Sequence, residues 1–226
     1  MDVRRSQPIA FEAVGIPRES LPEGEWDWLE SRFHQERLLT DHVLCDTDCT
    51  SEALWLLDDA VTARIALDEH GNSFEIAVDG PGSLACGWLL SGDKLSPWRV
   101  QVRRGGQARK LQRRHVELLD KFAPAFHARC RAVIHAEVLE LAAQFALSRR
   151  RTARSLLADR LDGYFTAFGE NAIAVTHSTL ARRFNLRRAT VTLALQELEG
   201  ARAIRSFRAR IELKDRERLR ALAAEF

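Results

Sequence analysis

The spacing of apolar positions along the chain changes twice, and the changes divide it into three stretches. Trp26, Leu29 and Phe33 recur at helical spacing and predict a helix over Glu25–Leu39, behind a mixed, proline- and glycine-bearing lead-in at residues 1–24. From Val43 to about Lys110 the runs become short and alternating or wholly apolar: VLC, LWLL, VTARIAL, SFEIAV and WRVQV. Polar turns such as Glu69-His70-Gly71-Asn72 and Asp79-Gly80-Pro81-Gly82 separate them, and Gly105-Gly106 marks another break. Strands at this spacing predict a small antiparallel barrel or sandwich. After Leu111 alanine, leucine and arginine dominate and the helical period returns.

Pro124 suits the first turn of the longest predicted helix, which runs to Leu147. Ile134, Val138, Leu141 and Phe145 form a heptad-like seam on it, extended forward by Phe126, Cys130 and Val133. Such a seam serves packing on the protein's own sheet or on a second copy. Ser148 is placed to cap a further helix, Arg149–Phe165, and the loop Thr166–Val175 follows. Thr176 is a suitable N-cap for a short helix carrying Leu180, Ala181 and Phe184. Asn185-Leu186 breaks that period. A second helix opens at Arg187-Arg188, with Val191, Leu195 and Leu198 on one stripe and Gly200 at its close. Two short alternating runs, Ala203–Phe207 and Arg210–Leu213, flank Arg208-Ala209 and suggest a basic β-wing before a last helix over Asp215–Phe226.

Two short amphipathic helices joined by a tight turn fit a helix-turn-helix and an ordinary helical hairpin alike. Charge separates the two. From His177 to Arg210 there are eight arginines against two acids, an excess that phosphate contact requires and a hairpin does not. The overall charge of +2 conceals a division, −6 over residues 1–147 and +8 over residues 148–226. An acidic front and a basic back point to separate domains, the second with an anionic partner.

No apolar signal core opens the sequence, and no run approaches the roughly 18 apolar residues of a membrane span. A cytoplasmic location without membrane contact is therefore expected. The four cysteines, Cys45, Cys49, Cys86 and Cys130, suit a reducing compartment. His42, Cys45 and Cys49 lack a dedicated zinc spacing, and no metal or cofactor is expected. Were Asp46-Thr47-Asp48 a turn, Cys45 and Cys49 would approach each other, whereas an extended segment would hold them about 13 Å apart. His70 reads as a solvated turn residue. The motifs of hydrolases, zinc proteases, P-loop and dinucleotide-binding proteins are missing, so no enzyme is expected.

The order of front helix, β-roll, long helix, helix-turn-helix and wing resembles the Crp/Fnr family of bacterial transcription regulators. The resemblance covers about Arg37–Phe226 and is strongest in THSTLARRFNLRRATVTLALQELEGARAIR. It continues through LTDHVLCDTDCTSEALWLLDDAV and GNSFEIAVDGPGS. It implies an α+β fold: a cupin-like, cyclic-nucleotide-binding-type β-roll domain over 25–123, a dimerisation helix over 124–147, and a winged helix-turn-helix over 148–226. Double-stranded DNA, a second copy of the chain and RNA polymerase are the partners it implies. The seam residues Phe126, Cys130, Val133, Ile134, Val138, Leu141 and Phe145 would form the dimer interface.

The family's ligand chemistry does not carry over. Nucleotide-binding members have Gly-Glu followed about a dozen residues later by Arg-Ser or Arg-Thr, the Glu taking the ribose hydroxyl and the Arg the cyclic phosphate. Here Gly82 precedes Ser83, and the downstream pair is Leu95-Ser96. Neither replacement supplies a charge-assisted contact. Arg99 lies nearby but follows Trp98 on a predicted strand.

A helical projection of the second helix places Ala189, Thr192, Leu193 and Gln196 opposite the core stripe, with Arg188 in the first turn, where base-reading side chains enter. Arg188 matches the family's first reading arginine and suits guanine, and Gln196 suits adenine. The family's glutamate and second arginine are Ala189 and Leu193 here, so a different target sequence is implied; Leu193 would meet a thymine methyl. Thr176, Arg182, Arg183, Arg187, Arg205, Arg208 and Arg210 are better placed for phosphate. A dimeric module that engages protein or a small molecule, with weak or no DNA contact, is the alternative reading. The operator, the effector and the sense of regulation are not legible. The degenerate cassette generates one expectation: calorimetry detects no micromolar binding of cyclic AMP or cyclic GMP, and such binding for either contradicts the reading of Ser83 and Leu95.

Overall fold

The computed structural model describes residues 20–92, 95–148 and 151–225, so most of the expected lead-in falls outside the described residues. Helix α1 (Glu23–Glu30) buries Trp26 and Leu29 but stops well short of Leu39. His34–Leu38 is instead strand β1. Its polar residues favour a helix in isolation, yet each pairs across an antiparallel ladder, His34 with Lys110 through Leu38 with Gly106. Ladder bonds and the Lys110–Glu36 ion pair at 3.3 Å outweigh the local preference.

Seven further strands complete a two-sheet roll: β2 (Val43–Cys45), β3 (Ala53–Leu57), β4 (Val61–Leu67), β5 (Ser73–Asp79), β6 (Leu84–Ala85), β7 (Arg99–Arg104) and β8 (Gly106–Gln112). One sheet has the order β1-β8-β3-β6 and the other β2-β7-β4-β5. The expected apolar runs appear as β2 to β5 and β7. Strand β3 is buried along its whole length, which is why LWLL shows no alternation. β8 escaped the pattern because its sequence, GQARKLQ, carries half-buried charges. Arg109 there pairs with Asp58 at 3.2 Å.

Two short helices, α2 (Arg113–Val116) and α3 (Leu119–Phe122), lead into α4 (Pro124–Ser148). The start of α4 is fixed from outside: the buried Glu25 carboxylate accepts the N–H groups of Ala125 and Phe126 at 3.0 and 3.1 Å. The seam assigned to α4 divides. Phe126 and Cys130 are wholly buried in the roll's own core, and Ile134 packs against it. They are therefore not available to a partner. Val133 and Leu141 are half-buried, Val138 is 52 % exposed, and the Phe145 side chain lies outside the described residues.

Helix α5 (Ala153–Phe168) begins later than expected. Its cap is Thr152, not Ser148: the Thr152 hydroxyl accepts the Ser155 N–H at 3.1 Å, while Ser148 is still helical in α4. Strand β9 (Ala172–Ile173), α6 (His177–Arg183), α7 (Arg188–Gly200), β10 (Ile204–Phe207), β11 (Arg210–Leu213) and α8 (Arg216–Ala223) follow. β10, β11 and β9 make a small antiparallel sheet. The apolar side chains collect in two clusters, one within the roll and α1 to α4, the other among α5 to α8 and the small sheet.

A buried charge cluster joins the two. Glu75 on β5, its side chain 2 % exposed, lies 2.5 Å from Arg103 on β7 and 3.2 Å from Arg183 on α6. The Tyr164 hydroxyl of α5 donates to the same carboxylate and accepts from Arg183 at 3.0 Å. Arg160 donates to the Ile76 carbonyl at 2.5 Å, and Arg104 to the Phe168 carbonyl at 2.7 Å. Gly80 lets the end of β5 touch the α5 backbone, because a Cβ there would strike Ala167. Replacing Glu75 by Ala strands two part-buried guanidinium groups and is expected to cost about 3 kcal/mol, the lower end for a broken buried pair. Thermal unfolding checks this, and an unchanged melting temperature contradicts it.

Candidate nucleic-acid interface

The turn between α6 and α7 forms because Asn185 adopts φ +51°, a left-handed conformation that asparagine tolerates. The Leu186 N–H then reaches the Ala181 carbonyl at 2.9 Å and closes α6. Thr176 caps the other end, its hydroxyl accepting from the Thr179 N–H at 3.0 Å. On α7, Val191, Ala194, Leu195 and Leu198 face the core. The helix does not end on a left-handed Gly200. That conformation falls to Arg202, φ +59°, and the Ala203 N–H bonds the Leu198 carbonyl at 3.1 Å. Arg208-Ala209 does make the two-residue wing turn, with Phe207 paired to Arg210 and φ +61° at Ala209.

Between the start of α6, α7 and the wing runs a groove of about 540 Å³, lined by Thr176, His177, Arg188, Thr192, Gln196 and Arg208 among others. Arg188 and Gln196 are exposed there, one at the first turn of α7 and one two turns on. Thr192 is half-buried, and its hydroxyl donates to the Arg188 carbonyl at 3.0 Å. Ala189 is exposed beside them. Leu193, 58 % exposed, lies on the flank of α7, in a separate shallow groove with Thr152 and Arg154 at the start of α5.

Of the arginines assigned to phosphate, Arg182, Arg187, Arg205, Arg208 and Arg210 are exposed. Arg205 lies over the Phe207 ring at 4.9 Å, and Arg210 pairs with Glu212 at 3.0 Å while remaining largely exposed. Arg183 is turned away, held by Glu75 and Tyr164. The local sequence could not reveal this, because the partner comes from a strand over a hundred residues earlier. His177 escaped notice altogether. It lies at the first turn of α6, its two ring nitrogens 3.1 and 3.3 Å from the hydroxyls of Thr192 and Ser206.

In the roll, the positions of the degenerate cassette are otherwise engaged. Ser96 is buried and donates to the Trp98 carbonyl, and Leu95 is exposed in an isolated bridge with Thr50. Arg99 grips Asp46 through two bonds of 2.9 and 2.7 Å, which holds the Asp46 carboxyl below its usual range. The cleft between β5, α4 and α5, about 460 Å³, has Ser83 on its wall. It is lined by Glu75, Asp79, Glu137, Glu140, Asp159 and Asp162 against Arg64 and Arg160. Arg64 is itself spent on Asp79 at 2.7 Å and Glu137 at 3.1 Å. Burial pushes both of those carboxyls up despite the arginine. Asp46–Cys49 does form a turn, closed at 3.1 Å, and Cys45 Sγ lies 3.5 Å from the Cys49 carbonyl oxygen. Among the described residues no cluster suits a metal ion, and no helix is long and apolar enough to cross a membrane.

A two-sheet roll, a long helix and a winged helix-turn-helix follow one another along the chain. Residues 150–222 match the family of Crp-like helix-turn-helix domains. The fold is that of FixK2 from Bradyrhizobium japonicum, at 18 % identity and a TM-score of 0.71, over 86 % of this chain and 98 % of that one. The c-di-GMP-responsive global regulator CLP of Xanthomonas campestris is similar, at 12 % identity and a TM-score of 0.69, over 85 % and 99 %. So is a Crp/Fnr-family transcriptional regulator from Thermus thermophilus, at 17 % identity and a TM-score of 0.68, over 84 % and 98 %. No curated protein sequence matches the chain. The chain thus carries a Crp-like helix-turn-helix domain on the Crp/Fnr fold.

Proposed function

We propose that the protein is a homodimeric, DNA-binding transcription regulator that reads a pseudo-palindromic operator without cyclic AMP or cyclic GMP. Residues 25–123 act as a degenerate sensor roll, 124–147 as the dimer helix and 148–226 as the reader. The observation that carries this is the groove flanked by α7 and the wing, with Arg188 and Gln196 at its surface and Arg208 at the wing tip. Arg188 chelates a guanine edge, Gln196 pairs with adenine, and Ala189 permits close approach to the base stack. Arg182, Arg187, Arg205, Arg208 and Arg210 neutralise phosphates, as does the α6 N-terminus at Thr176. The flank position of Leu193 makes a thymine methyl near the edge of the half-site its natural contact.

The dimer forms through the outer face of α4. Ala132, Ala136, Leu139 and Ala143 are exposed and follow one another at heptad spacing, with Val138 beside Leu139. Small side chains around one large leucine allow two such helices to approach closely. This seam replaces the inward one, whose Phe126, Cys130 and Ile134 are committed to the roll. RNA polymerase is the further partner that a promoter-bound regulator of this type would meet.

Three expectations follow from these faces. Leu139→Glu places a charge in the proposed apolar seam and yields monomers in sedimentation velocity; a variant that stays dimeric contradicts the outer-face interface. Arg188→Ala costs roughly 1–3 kcal/mol on the selected operator and flattens preference at one position per half-site. Arg208→Ala weakens all duplexes alike and makes the salt slope shallower by about two per dimer. Fluorescence anisotropy across sequences and salt concentrations measures both, and an Arg188→Ala protein with unchanged sequence preference contradicts the assignment of α7 as reader.

A further inference from the structure

We propose that Cys49 and Cys45 form a thiol pair that exchanges with small-molecule disulfides, Cys49 as the entry thiol and Cys45 as the resolving one, and closes to a reversible intramolecular disulfide. The proposal goes beyond DNA reading and does not depend on it. Three of the four cysteines gather at one place in the roll. Cys45 ends β2, Cys49 closes the turn that follows, and Cys86 comes just after β6. The buried Ser51 hydroxyl donates to the Ala53 carbonyl at 3.2 Å and lies against the thiols of both Cys45 and Cys86. Exposure sorts the three: Cys49 is exposed, whereas Cys45 and Cys86 are buried.

The turn holds the pair together. Asp48 takes a left-handed step, φ +57°, and the Cys49 N–H reaches the Asp46 carbonyl at 3.1 Å. A neighbouring segment clamps it from both sides. The Asp48 N–H donates to the Ser96 carbonyl at 2.8 Å, the Ser96 N–H donates to the Cys49 carbonyl at 2.9 Å, and Arg99 grips Asp46. Cys45 Sγ therefore rests 3.5 Å from the Cys49 carbonyl oxygen. An extended segment would hold the two residues about 13 Å apart and out of reach. In the turn, bond formation asks for an inward swing of the exposed Cys49 side chain.

Exchange starts at Cys49 because a dissolved reagent meets no other exposed cysteine. Burial also pushes the Cys45 thiol up, and those of Cys86 and Cys130 up to about 12, so these three keep their protons. The Cys49 sulfur attacks one sulfur of the reagent, RSSR. The reagent's S–S bond breaks, and one RSH leaves with the Cys49 proton. Cys45 then attacks Cys49 Sγ in the mixed disulfide, where the target sulfur is held beside it at high effective concentration. The protein S–S bond forms as the mixed one breaks, and the second RSH leaves with the Cys45 proton. Two protein thiols are oxidised and one small disulfide is reduced to two thiols. Excess RSH runs both steps backwards, so the pair follows the balance of thiol and disulfide around it.

The test uses the full chain, reduced, incubated with oxidised glutathione, alkylated under denaturing conditions, digested with trypsin and weighed. Cys45 and Cys49 share the tryptic peptide of residues 38–64, and Cys86 falls on the next, residues 65–94. The expected product is a 38–64 peptide lighter by two hydrogens, with Cys86 alkylated and the reduced peptide recovered after thiol treatment. Cys45→Ala is expected to stop at a stable glutathione adduct on Cys49. Cys49→Ser, at an exposed position, is expected to form neither adduct nor disulfide, and it carries the test if Cys45→Ala does not fold. Three results overturn the proposal: a wild-type chain left unmodified or retaining glutathione on Cys49, a cross-link between the two peptides through Cys86, or a Cys49→Ser chain that still forms a disulfide.

Discussion

The arrangement of the molecule depends on one buried carboxylate. Glu75 leaves water at a cost of several kcal/mol, and the structure offsets it with two guanidinium groups and a phenol drawn from three other elements. Each partner comes from a different part of the chain, so the cluster is complete only when the roll, α5 and α6 meet in one orientation. The backbone contact at Gly80 and the carbonyls taken by Arg104 and Arg160 act in the same place. Burial raises the Tyr164 hydroxyl pKa, with Glu75 adding to the effect, and so keeps the phenol a donor. What the cluster supplies is orientation: α7 is presented on a body whose angle to the roll is fixed by directional bonds.

A second ionic knot behaves differently. Arg64 holds Asp79 and Glu137, and so ties α4 to the roll, yet burial still leaves both carboxyls with raised pKa values. Desolvation outweighs attraction there, and the apolar contact of Ile134 with the roll core supplies the adhesion instead. The same knot crosses the acidic cleft beside Ser83. The cleft beside Ser83 is therefore occupied by the protein's own charges.

Most of the fold was legible in the sequence wherever a periodic pattern and its packing agreed. The helix-turn-helix, its threonine cap, the wing and the long α4 declare themselves by spacing and by Pro124, Thr176 and Asn185. β1 and β8 did not, since their charged residues find partners only across a ladder that the local sequence cannot display. The site was legible in part. Arg188 and Gln196 are exposed on the face that a helical wheel gives them, and Arg208 is exposed in the wing turn that the alternating runs on either side of it suggest. Arg183 and the inward seam on α4 were misjudged for a shared reason: a wheel shows which side a residue occupies but not whether another element already covers it. His177 left no signal of its own, because its contacts are two hydroxyls brought to it by folding.

On the proposed reading, the C-terminal domain would be a directional device: a groove with base-edge donors on its floor, phosphate-binding arginines at its margins, and a twofold partner held through α4. Selection of bound duplexes from a random pool by the wild-type chain, without added ligand, tests this most directly. The account predicts enrichment of a pseudo-palindrome whose half-sites are centred about one helical turn apart, each containing a strongly preferred guanine. Failure to enrich any sequence, or enrichment of a single asymmetric element, would contradict it.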